Sequence, residues 1–550
     1  MIVPMRHLDL VCVAADRDRT LERLRELGAV HLELGGACGP EVAGVRGELA
    51  DAERAVRLIR KARLALGGEE CPVRPRAVAE VLAIEADRET LRGERERLER
   101  EIRAYEPYGD FDPALARKLL DAGVEELRER LPAKLPAMRL GRMREKLARV
   151  ENRLAIDGAR LASCDEREVL RAFPRLNDRL AFAAAKELIE SRGAVAVVSG
   201  WVPEPKAGTL VAAAREDGWG VLLREPAEGE APPTLIEPPR LFRPMKALFE
   251  GLGIAPAYTE ADVSVPFLCY FSLFFAMLVG DGAYGAIFLA GTLLLRKRLP
   301  KAWFALLTVF SLATIGWGVL SNTWFGAGLP WCADWPTVRW LGDPSYRNIM
   351  LVCFTVGVSH LMLARIWNGV CRLPDSTALA EFGWAGVLLF MYFVTNSLVG
   401  IFASIPSFMT WVFAVSLALV FGFTVKVSEL KSRGIELGML PLNIMSALGD
   451  IISYVRLFAV GLASVKVAEN FNSMATGLLS GSHALWVNAL LAVAMAAILL
   501  AGHALNLAMA GLSILVHAVR LNTLEFSNHK GVSWSGYAFR PFRKNKEDIR

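Results

Sequence analysis

Paired cysteines are missing from this 550-residue chain. Its eight cysteines (Cys12, Cys38, Cys71, Cys164, Cys269, Cys332, Cys353, Cys371) are scattered and none forms a CxxC pair, which argues against a disulfide framework or a zinc site. Neither a GxxxxGK[ST] loop nor a GxGxxG after a strand occurs, so no nucleotide site is read. Charge of one sign is not in excess: the formal charge is +5, and the bases of the first half are interleaved with acids, which argues against nucleic acid as a partner. The opening MIVPMRHLDLVCVAADRDR lacks the basic start, apolar core and small-residue cleavage site of a signal peptide, so the N-terminal half is expected to stay in the cytoplasm. Between about 264 and 522 it is charge itself that is scarce, over long runs.

What is present divides the chain in two. Hydrophobic residues make up 53% and charged residues 22%, too apolar for an ordinary soluble protein and too charged for a pure membrane bundle. The expected organisation is a soluble domain over 1–240, a proline-marked linker over 241–263, a membrane domain over 264–526 and a basic tail over 527–550. In the soluble part, residues 2–13 read as a strand, 19–27 as a helix ended by Gly28, and 30–34 as a strand. A similar strand, helix and strand recur at 194–202, 207–216 and 220–224, so two small βαβ-like lobes flank a long helical middle. There Met143, Leu147, Val150 and Leu154 step by three or four residues, Leu161 continues the stripe, and Ile84, Leu91 and Leu98 make a weaker one. An antiparallel helical hairpin or coiled-coil rod suits such stripes, as does an ordinary helical domain.

The fold class expected for the rest is an α-helical polytopic membrane protein. A span needs roughly 20 apolar residues. About eight candidates are read: 264–280, 282–296, 303–326, 347–366, 379–401, 407–425, 441–468 and 485–522. The first two are short and meet at Gly280-Asp281-Gly282, so they are either two crossings or one broken, re-entrant element. With eight crossings the loops carrying Arg296, Lys297, Arg298 and Lys301, then Arg365 to Arg372, then Lys426, Lys431 and Arg433, and the tail with Lys530, Arg540, Arg543, Lys544, Lys546 and Arg550 all fall inside. The outside holds only Arg339, Arg347 and Lys466, so the positive-inside rule favours eight crossings with both termini cytoplasmic.

Ionisable groups within such spans are costly and point to function. Arg456 lies near the middle of its span. Asn443, Ser446, Asp450, Ser453 and Arg456 share an arc of about 140°, with Gly449, Gly461 and Ser464 on or near that side. On the last span His503, Asn506, Ala510, Ser513, His517 and Arg520 share about 100°, and Glu525 follows. At 38 residues that span would reach about 57 Å, so it protrudes or tilts. Arg456 neutralised by Asp450 in a buried bundle contact is one reading of these faces. A wet ion path is the other, and it better explains stripes several turns long. Arginine stays charged and cannot pass a proton on, while it drives the proton off an approaching carboxyl group. Asp281 either lines a pathway or caps a helix break, His360 reads as a packed core histidine, and tryptophans such as Trp303, Trp324, Trp331 and Trp335 read as interfacial anchors.

The segment GDIISYVRLFAVGLAS resembles the signature helix of the a/I subunit of V/A-type ATPases, matching at Ser453, Tyr454, Arg456 and Leu457. LVHAVRLNTLEF is similar to that family's second arginine helix, at His517, Arg520, Leu521 and Glu525. FFAMLVGDGAYG, PPTLIEPPRLFRPMKALFEGLGIAPAYTEAD and SGWVPEP resemble its glycine turn, linker and N-domain. The resemblance implies a non-catalytic stator subunit of a rotary ATPase in a prokaryotic plasma membrane, with no cofactor, metal or nucleotide of its own. It implies two half-channels for protons or sodium ions against a rotating proteolipid (c/K-type) ring. There Arg456, helped by Arg520, strips the ion from a ring carboxylate, and the other polar residues line the channels or stand behind the lining. The implied partners are that ring, peripheral stalks of the E/G type, a central-stalk-linking subunit of the d/C type, the lipid bilayer and, indirectly, the ATP-hydrolysing head. Ala510 departs from relatives with an acid there, and the chain looks short for the family, most of all in the rod. A secondary transporter and a membrane scaffold that moves nothing are the competing readings.

Overall fold

The computed structural model describes residues 2–32, 39–66, 78–124, 130–425, 435, 437–478 and 485–544. Cys38, Cys71, Lys426, Lys431, Arg433, Lys546 and Arg550 lie outside the described residues. The chain forms two compact units, one of 5–226 with 540–550 and the other of 1–4 with 227–539.

In the first unit, β1 (Met5–Val13) leads into α1 (Arg17–Leu27), which ends where Gly28 takes up φ +54°, and then β2 (His31–Leu32). Alternation puts Leu8, Leu10 and Cys12 inside and leaves Val11 and Val13 exposed. Four helices follow, α2 (Pro40–Leu66), α3 (Val78–Tyr105), α4 (Pro113–Asp121) and α5 (Leu140–Ala162), then α6 (Glu166–Leu170) and α7 (Ala172–Leu188). The unit closes with β3 (Glu190–Arg192), β4 (Val195–Pro203), α8 (Glu204–Asp217) and β5 (Gly220–Arg224).

The two βαβ units expected as separate lobes interlock instead. Strand order is β2-β4-β1-β5 with β3 on β4; β1 runs antiparallel to β4 from Met5↔Pro203 to Val13↔Val195 and to β5 from His7↔Arg224 to Val11↔Gly220. This is a split βαβ arrangement, each unit lending a strand between the two of the other. Two strands alone bury too little to be stable. Interleaved, they share one core of Leu8, Leu10, Leu21, Leu24, Val198, Val202 and Leu210.

The helical middle is inserted between the halves of that sheet. The expected stripe is its inner seam: Met143, Val150 and Leu161 are buried, with Ile102 and Leu140 around Met143 and with Ile59, Val81 and Ile84 around Leu161. At the far turn Asp112 caps α4 by accepting from Ala114 N and takes a guanidinium hydrogen bond from Arg139, which holds its carboxyl below the usual range.

The first α-helix of the second unit, within the stretch read as a linker, is α9 (Pro244–Leu252), whose Met245, Leu248 and Phe249 are buried in the unit's core. Then come α10 (Ser264–Val279), α11 (Gly282–Leu294), α12 (Lys301–Ser321), α13 (Pro336–Leu341), α14 (Arg347–Arg372), α15 (Thr377–Leu398) and α16 (Ser407–Phe423). Two long apolar spans follow, Leu440–Gly477 and Trp486–Lys530. Among the described residues five helices are long and apolar enough to cross a membrane: α12, α14, α15 and these two spans, while α16 is shorter. The segments meeting at Gly280-Asp281-Gly282 form a pair bent by 118°, a broken span or a re-entrant loop. The last two spans, at 38 and 45 residues, are longer than expected because each continues past its most apolar stretch.

Candidate functional site

The span Leu440–Gly477 is interrupted at Ser453-Tyr454, between helices Leu440–Ile452 and Val455–Gly477. Tyr454 is fully buried at the break, its hydroxyl 2.9 Å from Nδ1 of His360 on α14. Gly357 makes room for it: a Cβ there would stand 2.5 Å from the Tyr454 ring. His360 is a packed core residue as expected, stacked between Tyr270 and Phe526.

Two residues past Tyr454, Arg456 donates from Nε to the Ser453 carbonyl at 3.0 Å and from Nη2 to Oε1 of Glu525 at 2.8 Å. Nε of Arg520 stands 3.5 Å from the same oxygen. Glu525 is buried, with its side chain 5% exposed, while Arg456 is 22% and Arg520 55% exposed. One carboxylate thus holds two arginines. The counter-ion considered from the sequence, Asp450, pairs instead with His529, Oδ2 to Nε2 at 3.1 Å.

Backbone geometry explains why Glu525 falls outside the arc that periodicity gives to Arg520. Residues Ile514–Ala518 and Leu521–Phe526 are π-helical. A spacing of five, about 140° apart on an α-helix, is nearly one turn of the wider i→i+5 coil. Arg520 and Glu525 therefore share a face. His517 is half-buried in the first π stretch, its Nδ1 without a hydrogen-bond partner among the described residues.

The other polar residues separate from this cluster. His503 Nδ1 lies 2.8 Å from the Tyr284 hydroxyl, Asn506 donates to that hydroxyl at 3.0 Å and to the Ser464 carbonyl at 2.8 Å, and Ser464 Oγ donates to Asn506 Oδ1 at 3.1 Å. Eight residues, about 12 Å along the axis, part Ser464 from Arg456. Here the small residues serve packing. A Cβ on Gly461 would come 2.4 Å from the Met277 carbonyl, so glycine lets this span lie against α10. Asn443 and Ser446 are exposed, Ser513 is half-buried and Ala510 is buried.

Asp281 is a cap. It accepts from Ala283 N at 2.8 Å at the start of α11 and from Gly326 N at 2.8 Å, closing the bent pair onto the loop after α12. Gly326 has φ +72°, and a Cβ on it would press 2.8 Å from the Glu469 amide. Losing a cap costs about 1 kcal/mol and each stranded buried donor about 1–3 kcal/mol. Asp281→Ala is therefore expected to lower unfolding stability in detergent by about 2–4 kcal/mol, and Asp281→Asn by less, since it keeps an acceptor. Equal stability of all three proteins would refute the cap's importance.

No protein-family model matches the chain. It is 35% identical over 374 residues to the V-type ATP synthase subunit I of Borreliella burgdorferi, covering 64% of this chain and 60% of that protein. It is 30% identical over 638 positions to V-type ATP synthase subunit I 1 of Treponema pallidum, covering 99% of this chain and all of the relative. That alignment is longer than the 550 residues here, so part of the Treponema protein has no counterpart. The A-type ATP synthase subunit I of Methanocaldococcus jannaschii is 25% identical over 466 residues, 73% of this chain and 64% of the relative.

Proposed function

The chain belongs to the family of V-type and A-type ATP synthase subunit I, and from that premise we propose that it is the membrane stator of a rotary ATPase. In this reading it catalyses nothing alone. It lines ion half-channels against a rotating proteolipid ring, and its soluble unit is anchored by the peripheral stalks. The second unit crosses the bilayer eight times, the bent pair crossing out and back and α16 crossing at a shorter length, with both termini in the cytoplasm.

One observation carries the reading: three charged side chains, Arg456, Glu525 and Arg520, meet between the two longest apolar spans. Charges at that depth are retained for a task, because a bilayer disfavours them. The partly exposed arginines give an outside carboxylate somewhere to arrive. The last span also presents Leu512, Leu515 and Val516 to its surroundings, an apolar face suited to a ring helix.

The test is contact with the ring in the working complex. A photo-crosslinking residue at Leu512 is expected to yield an adduct with the ring subunit, and irradiation should stop ATP-driven ion uptake in reconstituted vesicles. Adducts with lipid alone, at Leu512 and at Leu515, together with uptake that survives irradiation, would return the chain to the scaffold reading.

A further inference from the structure

Four helices build a second charged cluster that the reading above leaves mostly unused. His529, buried at the end of the last span, receives the Nε–H of Arg365 on its Nδ1 at 3.0 Å, and its Nε2 faces Asp450 at 3.1 Å. Arg365 also donates from Nη1 to Oε2 of Glu381 at 3.1 Å, whose other oxygen pairs with Nη1 of Arg372 at 2.9 Å. Asn368 donates to the His529 carbonyl at 3.0 Å and takes the ammonium of Lys530 at 2.6 Å.

The donor inventory settles the ring's tautomer. Arginine has only donors, so Nδ1 of His529 must accept, and the single ring proton sits on Nε2, where it is donated to Asp450. A second proton on Nδ1 would break the bond from Arg365 and set two cations face to face. The charged or titratable groups around the ring are Asp450 from Leu440–Gly477, Arg365 and His360 from α14, Glu381 from α15 and Lys530 beside it. Oδ1 of Asp450 has no hydrogen bond among the described residues, so it remains open as an acceptor.

Position completes the argument. Asp450 precedes Arg456 by six residues, about 9 Å along the axis, and His529 follows Glu525 by four, about 6 Å. The pair thus forms the next charged layer, on the side the reading above assigns to the cytoplasm. We propose that Arg365 and His529 are positioning residues that hold Asp450, with one oxygen open, as the ion acceptor between Arg456 and the cytoplasm. His529 aims Asp450 and does not itself carry the proton. This inference rests on the stator reading.

The experiment uses the assembled complex in vesicles and follows ATP-driven ion uptake against pH. A glutamine at 529 can accept from Arg365 through its amide oxygen and donate to Asp450 through its amide nitrogen, yet cannot titrate. H529Q is expected to keep most of the wild-type rate with a superimposable pH profile, while H529A and D450N fall at least tenfold at every pH. If H529A fails to assemble, R365M decides: freeing Nδ1 lets His529 take a second proton there, so uptake should gain a pH dependence that the wild type lacks. Loss in H529Q matching that in H529A, or a pH limb missing from H529Q, would make His529 a carrier and overturn the proposal. Wild-type uptake in H529A and D450N, or an unchanged profile in R365M, would overturn it as well. Undiminished uptake in R456Q would instead sink the stator reading itself, which separates the two failures.

Discussion

Arg456→Gln should silence ATP-driven ion uptake, by about a hundredfold or more, in a complex that still co-purifies intact. A fixed cation near a carboxyl group favours its ionised form by about ten- to a thousandfold, and glutamine supplies none of that. The geometry adds a second loss. Arg456 spans from the Ser453 carbonyl at the helix break to Glu525, so its removal leaves that glutamate buried without its nearest partner. Breaking a buried pair from one side costs about 3–5 kcal/mol. Arg456→Lys keeps the charge but not the fork that serves both acceptors, and should recover only a fraction of the rate. Full uptake in the glutamine variant would mean that Arg456 lies off the ion path.

Glu525→Gln is expected to slow ion uptake and ATP hydrolysis together, by about ten- to a hundredfold. Glu525 balances one of two positive charges, so without it Arg456 and Arg520 face each other with no carboxylate between them. A carboxylate brought by the ring would then become the sole partner of both and would be held too firmly to leave. Attraction at a partly buried site is several times stronger than in bulk water. If charge balance is the cause, adding Arg520→Gln to Glu525→Gln restores the net count and should raise the rate above that of the single variant. A double variant no faster than the single would show that Glu525 matters for packing alone.

Much of this site was legible in the sequence because it follows helical periodicity. Arg456 stands out as a charge inside an apolar run, and Met143, Val150 and Leu161 step as a packed seam must. The glycines around Asp281 mark a break between two short apolar segments, and the pair is bent there by 118°. The rest was hidden for physical reasons. Glu525 falls on the face of Arg520 only because the backbone there is π-helical, and a projection at 100° per residue puts it elsewhere. His529 lies beyond the last strongly apolar residues, so it read as tail although it is buried and bonded on both nitrogens. Periodicity puts Gly461 and Ser464 on or near the polar face, but small side chains mark close helix approach as readily as water. The sheet's pairing could not be read at all, since alternation reports which face of a strand is buried and not which strand lies beside it.

That pairing has a consequence in time. β1 emerges from the ribosome about 180 residues before β4, its first long partner, and β5 comes later still. At about 5–20 residues per second, the strand waits roughly 10 to 40 s with its hydrogen-bonding edges open and only α1 at hand to cover Leu8 and Leu10. What fills the interval is the helical insertion, whose packing of α3 on α5 joins residues nearer in sequence. Once α2 has met α7, the ends of a long loop are already close, and little closure entropy remains when β4 arrives. The helices that separate the two halves of the sheet in sequence thus also hold the ends of those halves near each other.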